Sequence, residues 1–438
     1  TVGPQYTRPD TRLPTQFDQA QAAGEQAPAS PLFAAFQDPA LNGLIDSALA
    51  ANTGIAQAVA RLDEVRALRG LEKYALYPTV TAAADQERSN PSSRDPFVPS
   101  DIAQTETWRA GFDAVWEIDL FGGIRSSKKA IVAEQEAAEA ALRGVRQAVT
   151  AEVAQAYFAL RGAQQRLRLK QRTVDNLREN LRLLELRRDA GRGTDLDVAR
   201  SNALGLSIAS ELPLIEAEVV QHEQRLAVLT TLPIDTLRSR IGTEETAIEW
   251  PQLVQTGTPE EWLRRRPDVA EAERRLAAAT ARVGIDVAEF FPKLNLLGGF
   301  GYTAQSSGDL LESQSERWRF GPSLSWSFLD FGRIQQRVLA AEARADGAMA
   351  RYQETVLRAL EETETALANY RAAQRATAAL SLAVTRATDA ARLARIRFDA
   401  GAVDFLVVLD AERTQLDLED QLARTATQRG TALAALYK

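Results

Sequence analysis

The sequence has 438 residues, no cysteine, a single histidine (His222) and a net charge of −7. Without cysteine there is no disulfide scaffold, thiol catalysis or Cys-based zinc site, and the acidic balance argues against nucleic acid as a partner. No apolar run reaches about 18 residues, so no spanning helix is predicted, and a closed barrel is the remaining route across a bilayer.

Residues 1–36 are rich in Pro, Gln, Ala and Thr. They can bury little and are predicted to lie extended over a surface. Helices are predicted near Pro39–Ala50 and from Thr53 to about Tyr74. Tyr77-Pro78 stops the second, because proline disfavours a helical residue before it. Thr79–Arg88 reads as a weak strand, and Ser89–Ser100, with three prolines, as a loop. A strand over 104–120 returns from that loop, and Phe121-Gly122-Gly123 breaks it.

This returning strand alternates. Trp108, Ala110, Phe112, Ala114, Trp116, Ile118 and Leu120 share one face; Arg109, Asp113, Glu117 and Asp119 share the other. Trp108 and Trp116 stand roughly 26 Å apart at about 3.3 Å per residue. That spacing suits aromatic girdles at both rims of a membrane band about 25 Å tall. A sandwich strand with its aromatics in a core fits this stretch alone equally well.

From about Ile124 to Asp189 there is no proline, and good helix formers dominate, so one helix of roughly 100 Å is predicted. Apolar residues from Leu142 through Leu160 to Leu184 step by three and four as a coiled-coil seam, with Lys170 as its exception. Gly191 ends this helix as a C′ glycine. Thr194 to Asp197 form a capping-box pattern that starts a return helix to about Leu232, with Pro213 inside it. Ile234–Pro259 reads as irregular. A short helix over Glu260–Arg265 follows, and Pro267 opens another to about Phe290.

Then the pattern recurs. Phe291-Pro292 stands where Tyr77-Pro78 stood. A strand over 293–303 and a polar loop lead to a strand over 317–329. Within it WRFGPSLSWSFLDFG (Trp318–Gly332) repeats WRAGFDAVWEIDLFG (Trp108–Gly122) at an offset of 210 residues. Trp318 and Trp326 match Trp108 and Trp116. A second long helix opens at Phe331-Gly332 and ends at Gly401, again 210 residues after its counterpart. Asp404 is predicted to cap the last helix. The chain is therefore a duplication. It divides into an N-terminal segment and helix (1–51), a first repeat (52–232), an equatorial linker (233–266) and a second repeat (267–438).

Lengths give the predicted architecture. Each long helix is about 100 Å, each return helix about 55 Å and each helix entering a hairpin about 35 Å, so a rod four helices wide closes. Four strands cannot close a barrel alone, because the smallest barrels have about eight. Several chains must share one, and a trimer supplies a twelve-stranded β-barrel continued by a twelve-helix tunnel.

Several motifs together carry a resemblance over essentially the whole chain. They are LRRRPDVAEAE (Leu263–Glu273), FGGI and FGRI after the Trp strands, Asp-Ala-Gly at both helix turns, and DFLVVLDAER (Asp404–Arg413). With them the chain resembles the TolC-like outer-membrane factors of the OprM/OprN branch. The resemblance implies a homotrimeric channel in the bacterial outer membrane with a long periplasmic helical extension. It implies docking with a periplasmic adaptor and an inner-membrane transporter to expel drugs. In that branch a lipidated Cys often precedes a Val-Gly-Pro-x-Tyr segment; Val2–Tyr6 matches and no Cys precedes it in this sequence, so the N-terminal lipid that the resemblance implies would sit on a Cys not present in this chain. No other cofactor is implied. The helix-turn tips at Gly191 and Gly401 are the expected adaptor docking points.

The resemblance also places a periplasmic constriction at Asp404–Arg413. Leu406 and Asp410, one turn apart on one face, become an apolar ring and an acidic ring in a trimer. Arg413 would relieve the repulsion by pairing; an ordinary surface pair of Asp410 and Arg413 is the plainer reading. Asp197 is the matching lock residue in the first repeat, or simply a capping carboxylate. Some relatives lock with a Tyr and an Arg; Phe398 and Val403 stand there, so Arg413 with Arg200 is the expected substitute. Arg264, Arg265 and Arg266 read as a solvated helix entry more readily than as an anion site. His222 reads as surface. Gly122-Gly123 and Gly298-Gly299 read as bends or close strand contacts. No nucleophile–base pair or metal spacing is found, so an enzyme is not expected. A duct for secreted proteins and a soluble coiled-coil scaffold are the competing readings.

Overall fold

The computed structural model describes residues 1–10, 14, 17, 38–90, 92, 104–242 and 258–436. The first repeat contains α1 (Pro39–Ala51), α2 (Thr53–Tyr74), β1 (Thr79–Ser89), β2 (Thr105–Ile118), α3 (Gly123–Asp189), α4 (Asp195–Ala209) and α5 (Leu212–Thr230). Then come α6 (Ile234–Ile241), α7 (Pro259–Arg265), α8 (Pro267–Ala288), β3 (Lys293–Ala304), β4 (Glu316–Ser325), α9 (Phe331–Asp399) and α10 (Phe405–Leu436). Most of residues 11–36, the loop 93–103 and much of the linker lie outside the described residues. No helix among the described residues is long and apolar enough to cross a membrane.

One compact unit comprises Thr1–Thr11, Ala60–Ala141 and Asp268–Thr355. Its sheet has four antiparallel strands in the order β1-β2-β3-β4. The two hairpins of the duplicated halves pair through β2 and β3. The register aligns even-numbered residues across all four strands: Ala82, Phe112, Phe300 and Trp318 form one such row. That face is apolar and exposed, with Phe112 at 59%, Trp318 at 75% and Phe320 at 76% accessible. The odd-numbered face is a ladder of charges. Arg109 bonds Asp85 and Glu87, each at 3.1 Å, and Arg319 bonds Asp113 at 3.0 Å. The Arg319 side chain reaches Asp113 across β3 because Gly299 lies between them in register; a Cβ there would meet Asp113 Oδ1 at 2.8 Å. Gly299 is thus a close contact rather than a bend, whereas Gly122, at φ +88°, is a bend.

The last strand ends earlier than its aromatic pattern predicts. β4 stops at Ser325, the residue paired with Lys293, the first residue of β3. Pro292 ends the ladder, since proline offers no N–H. Trp326 and Phe328 therefore lie past the strand, and Trp326 packs against Phe328 and Phe331 at 5.9 and 6.1 Å.

The second unit comprises Arg12–Val59, Leu142–Pro267 and Val356–Lys438 and is helical in its described residues. The predicted seam of α3 is buried at Val149, Val153, Leu160, Val174 and Leu184. The predicted single return helix is two helices. Pro213 has no N–H to give to Ala209 and its ring crowds that carbonyl, so α4 ends at Ala209 and α5 restarts at Leu212. This break answers the exception in the seam. Lys170 is 7% exposed, and Glu211, in the break, meets its ammonium at 3.0 Å. Arg166 beside it bonds Glu218 at 2.7 Å and Asp420 of α10 at 3.2 Å. Opposite Gly162 the Thr427 side chain of α10 lies so close that a Cβ would collide with it.

Three further expectations change. The start of the linker is a helix, α6, because Leu237 and Ile241 are buried and Arg238 grips the buried carboxylate of Glu223 at 2.7 Å. His222 is half-buried on α5, and desolvation holds its pKa below 6.5, with Glu218 pulling the other way. Of the arginine run, Arg264 pairs with Glu260 in solvent, but Arg266 is largely buried against Glu362 at 2.6 Å.

Burial pushes the Asp420 carboxyl up, but bonds from Arg424 and Arg166 outweigh it, so it is held below its ordinary 3.8. A depressed folded value means the stabilisation is complete above 3.8 and drains away as pH falls through the folded value. Asp420→Asn should therefore cost about 2 kcal/mol at neutral pH, since Arg166 keeps Glu218, and the cost should vanish in strong acid. Thermal unfolding of both proteins across pH 2 to 7 checks this; an equal loss of stability in strong acid would refute it.

Candidate functional site

Two helix turns with the same backbone geometry form the site. In the first, the Arg192 N–H donates to the Arg187 carbonyl and the Gly191 N–H to that of Arg188, each at 2.8 Å. In the second, Ala402 donates to Arg397 and Gly401 to Phe398, each at 2.9 Å. Both glycines have φ +71°. These are Schellman closures, which need a left-handed C′ residue and so favour glycine. Beyond the first turn, Thr194 caps α4: its Oγ1 accepts from the Asp197 N–H at 3.2 Å and donates to Asp197 Oδ2 at 2.7 Å.

A small core ties the turns together. Leu184, Ala394, Phe405 and Val408 are buried together, with Val198, Phe398 and Leu409 packed on them. Phe398 meets Phe405 edge-on, with ring centroids 5.4 Å apart. The Arg187 guanidinium lies over Phe398, 4.7 Å from its centroid, and pairs with Asp399 at 3.1 Å. Arg395 bonds both Glu412, at 2.7 Å, and Asn180. A cavity of about 290 Å³ between Leu183, Arg187, Arg192 and Arg395 opens beside this core.

The sequence reading missed this linkage. Phe398 was visible only as a departure from the relatives' Tyr, and nothing in the spacing points from Arg187 to a residue 211 positions away.

Burial sorts the predicted gate residues. Phe405 and Val408 turn inward, while Leu406 (48% accessible), Asp410 and Arg413 share the opposite, exposed face of α10. Among the described residues no ion pair joins Asp410 to Arg413, so the surface pair within one protomer is not formed. Asp197 and Arg200 are half-exposed on α4; the Asp197 carboxylate is engaged by Thr194 and pairs with no cation among the described residues. Among the described residues none of Asp197, Arg200, Asp410 and Arg413 has an ion-pair partner.

The predicted aromatic belt lies at both ends of the sheet. The Trp116 indole N–H donates to the Leu76 carbonyl and that of Trp326 to the Phe290 carbonyl, both at 3.0 Å. Each acceptor stands two residues before the proline that opens a strand. Trp108 and Trp318 lie toward the other end, with Trp318 fully turned to the outside.

Comparison with known proteins gives consistent results. The family model described as outer membrane efflux protein matches residues 44–231 and 258–438. The outer membrane protein OprJ of Pseudomonas aeruginosa is 31% identical over 452 residues, covering 100% of this chain and 92% of OprJ. The pyoverdine export outer membrane protein OpmQ of Pseudomonas putida is 30% identical, covering 92% of this chain and 86% of its own. The solved outer-membrane channel OprN superposes with a TM-score of 0.94 at 36% identity, covering 100% of this chain and 98% of its own.

Phe405→Ala should remove the centre of the tip core at a local cost of about 3 kcal/mol. Hydrogen exchange should then speed up in both turns, around Gly191 and Gly401, and stay unchanged in the sheet. Uniform protection in both turns would refute the linkage.

Proposed function

The chain belongs to the outer membrane efflux protein family, and from that premise we propose that it is the exit duct of a tripartite drug efflux pump, gated at the helix tips. Its place is the bacterial outer membrane, with long helices extending into the periplasm; it is a channel and not an enzyme. Membership sets aside the soluble scaffold.

The observation that carries the reading is the two-faced sheet. Its apolar face carries exposed Phe112, Phe300, Trp318 and Phe320, while on the charged face Arg109 and Arg319 are paired with carboxylates of neighbouring strands. Among the described residues its outer strands, β1 and β4, each lack a partner on one side. Hydrocarbon does not tolerate unpaired backbone groups, so closure requires further copies, and three give twelve strands. Strands of 10 to 14 residues are long enough to cross the bilayer when tilted.

At the helix turns, Leu406 and Asp410 face away from the tip core. In the trimer they form an apolar ring followed by an acidic ring. Three carboxylates crowded on one axis repel, and Arg413 of a neighbouring copy is the group placed to hold them closed. Asp197 and Arg200 on α4 form the second lock. The turns at Gly191 and Gly401 receive the periplasmic adaptor, which connects to an inner-membrane transporter. Drug cargo is selected by that transporter; the 30% identical OpmQ is a pyoverdine export outer membrane protein.

Purified trimers in a planar bilayer should show small, mostly closed conductance. Asp410→Ala and Arg413→Ala should each enlarge it severalfold. Unchanged conductance in intact trimers would overturn the gate. A deletion strain should become drug-sensitive with secreted protein unchanged; the reverse would make this a secretion duct.

A further inference from the structure

We propose that the sheet-proximal end of α3 holds a binding site for the phosphate headgroup of an anionic phospholipid. A cavity of about 750 Å³ lies between the first three turns of α3, one face of α8 and the N-terminal strap. Its walls are Arg125, Lys128 and Lys129 at one end and Val132, Ala133 and Ala277 along the floor. That volume falls within the range of small-ligand sites.

Charge decides what it takes. The Arg125 side chain is already bound to Asp119 at 3.0 Å. Lys128 and Lys129 are exposed, and neither has an ion-pair partner among the described residues. The acidic groups near the far end are spent: Glu136 pairs with Arg274 at 3.1 Å, and Glu273 is held by Arg274, Arg8 and the Tyr6 hydroxyl. The cavity therefore presents two uncompensated ammonium groups above an apolar floor. An anion joined to an apolar body satisfies both halves.

Position selects the source. The cavity starts where the sheet ends. The Val2 N–H donates to the Phe121 carbonyl at 3.0 Å, Phe121 stacks on Phe291 at 4.6 Å, and Thr1 covers Gly122. Trp116 and Trp326 mark the rim of the apolar band at this end. Lys128 and Lys129 follow within about 10 Å along the helix, the depth of the headgroup layer, where each basic residue adds attraction to anionic lipid. α3 and α8 continue the central strands β2 and β3, whereas copies meet at the edges, β1 and β4. The cavity therefore lies beside the central strands and away from the sheet edges at which copies pair.

The site rests on the membrane placement of the sheet and not on the gate, so conductance is no readout for it. Delipidated wild-type trimers should bind short-chain phosphatidylglycerol, as read by native mass spectrometry and titration calorimetry. Short-chain phosphatidylcholine and inorganic phosphate should bind at least tenfold more weakly. Lys128→Gln/Lys129→Gln should weaken phosphatidylglycerol binding roughly thirtyfold and flatten its salt dependence. Arg178→Gln/Arg182→Gln, at the far end of α3, should leave it unchanged. Equal binding by the lysine variant overturns the proposal. Inorganic phosphate bound as tightly as phosphatidylglycerol would make this a free-anion site and overturn the lipid assignment. Should the variant fail to assemble, the wild-type comparison decides alone: phosphatidylcholine bound equally well refutes it.

Discussion

Backbone hydrogen bonding at the outer edges of β1 and β4 is the constraint on which the molecule depends. Inside one chain the sheet pairs β1 to β2, β2 to β3 and β3 to β4, and stops. In water an open edge is solvated; in hydrocarbon each unpaired N–H or C=O costs several kcal/mol. The apolar face, with Trp318 and Phe320 about three-quarters accessible, requires the hydrocarbon. The edges then require other copies. Membrane insertion and oligomerisation are therefore one requirement, set by two surfaces of the same small sheet.

The helical unit meets the opposite problem, that of fixing the register of long, Ala-rich surfaces with little shape to distinguish one turn from the next. Small residues permit close approach, as Gly162 does against Thr427, but they also permit sliding. Buried charge supplies the missing specificity. Lys170 finds its carboxylate only where α4 gives way to α5, and Arg166 reaches both Glu218 and Asp420. A slip by one turn would leave both cations buried and unpaired, a large penalty compared with losing a few methyl contacts. Here the kink at Pro213 and the lysine in the seam are two parts of one device.

The tips combine fixed and free elements. Identical Schellman turns and the Phe398–Phe405 contact hold the hairpins, while Asp410 and Arg413 on the opposite face of α10 have no ion-pair partner among the described residues.

Much of this was legible in the sequence because it is periodic. Alternation at Trp108–Leu120, helical spacing from Leu142 to Leu184, and the 210-residue offset from Trp108 to Trp318 and from Gly191 to Gly401 fix strands, helices and turns through local geometry alone. The outward placing of Leu406 and Asp410 follows from helical phase once Phe405 and Val408 are taken as core. What has no period was hidden. The end of β4 at Ser325 depends on where its partner begins. The helix at Ile234–Ile241 exists because Leu237 and Ile241 find a buried surface and Arg238 finds Glu223. Arg187 meets Asp399, and Tyr6 of the N-terminal motif meets Glu273 of the arginine-rich one, across more than 200 residues. Local propensity determined the elements; only tertiary structure decided which charges meet, because ion pairing is set by distance in space and a sequence records distance along the chain.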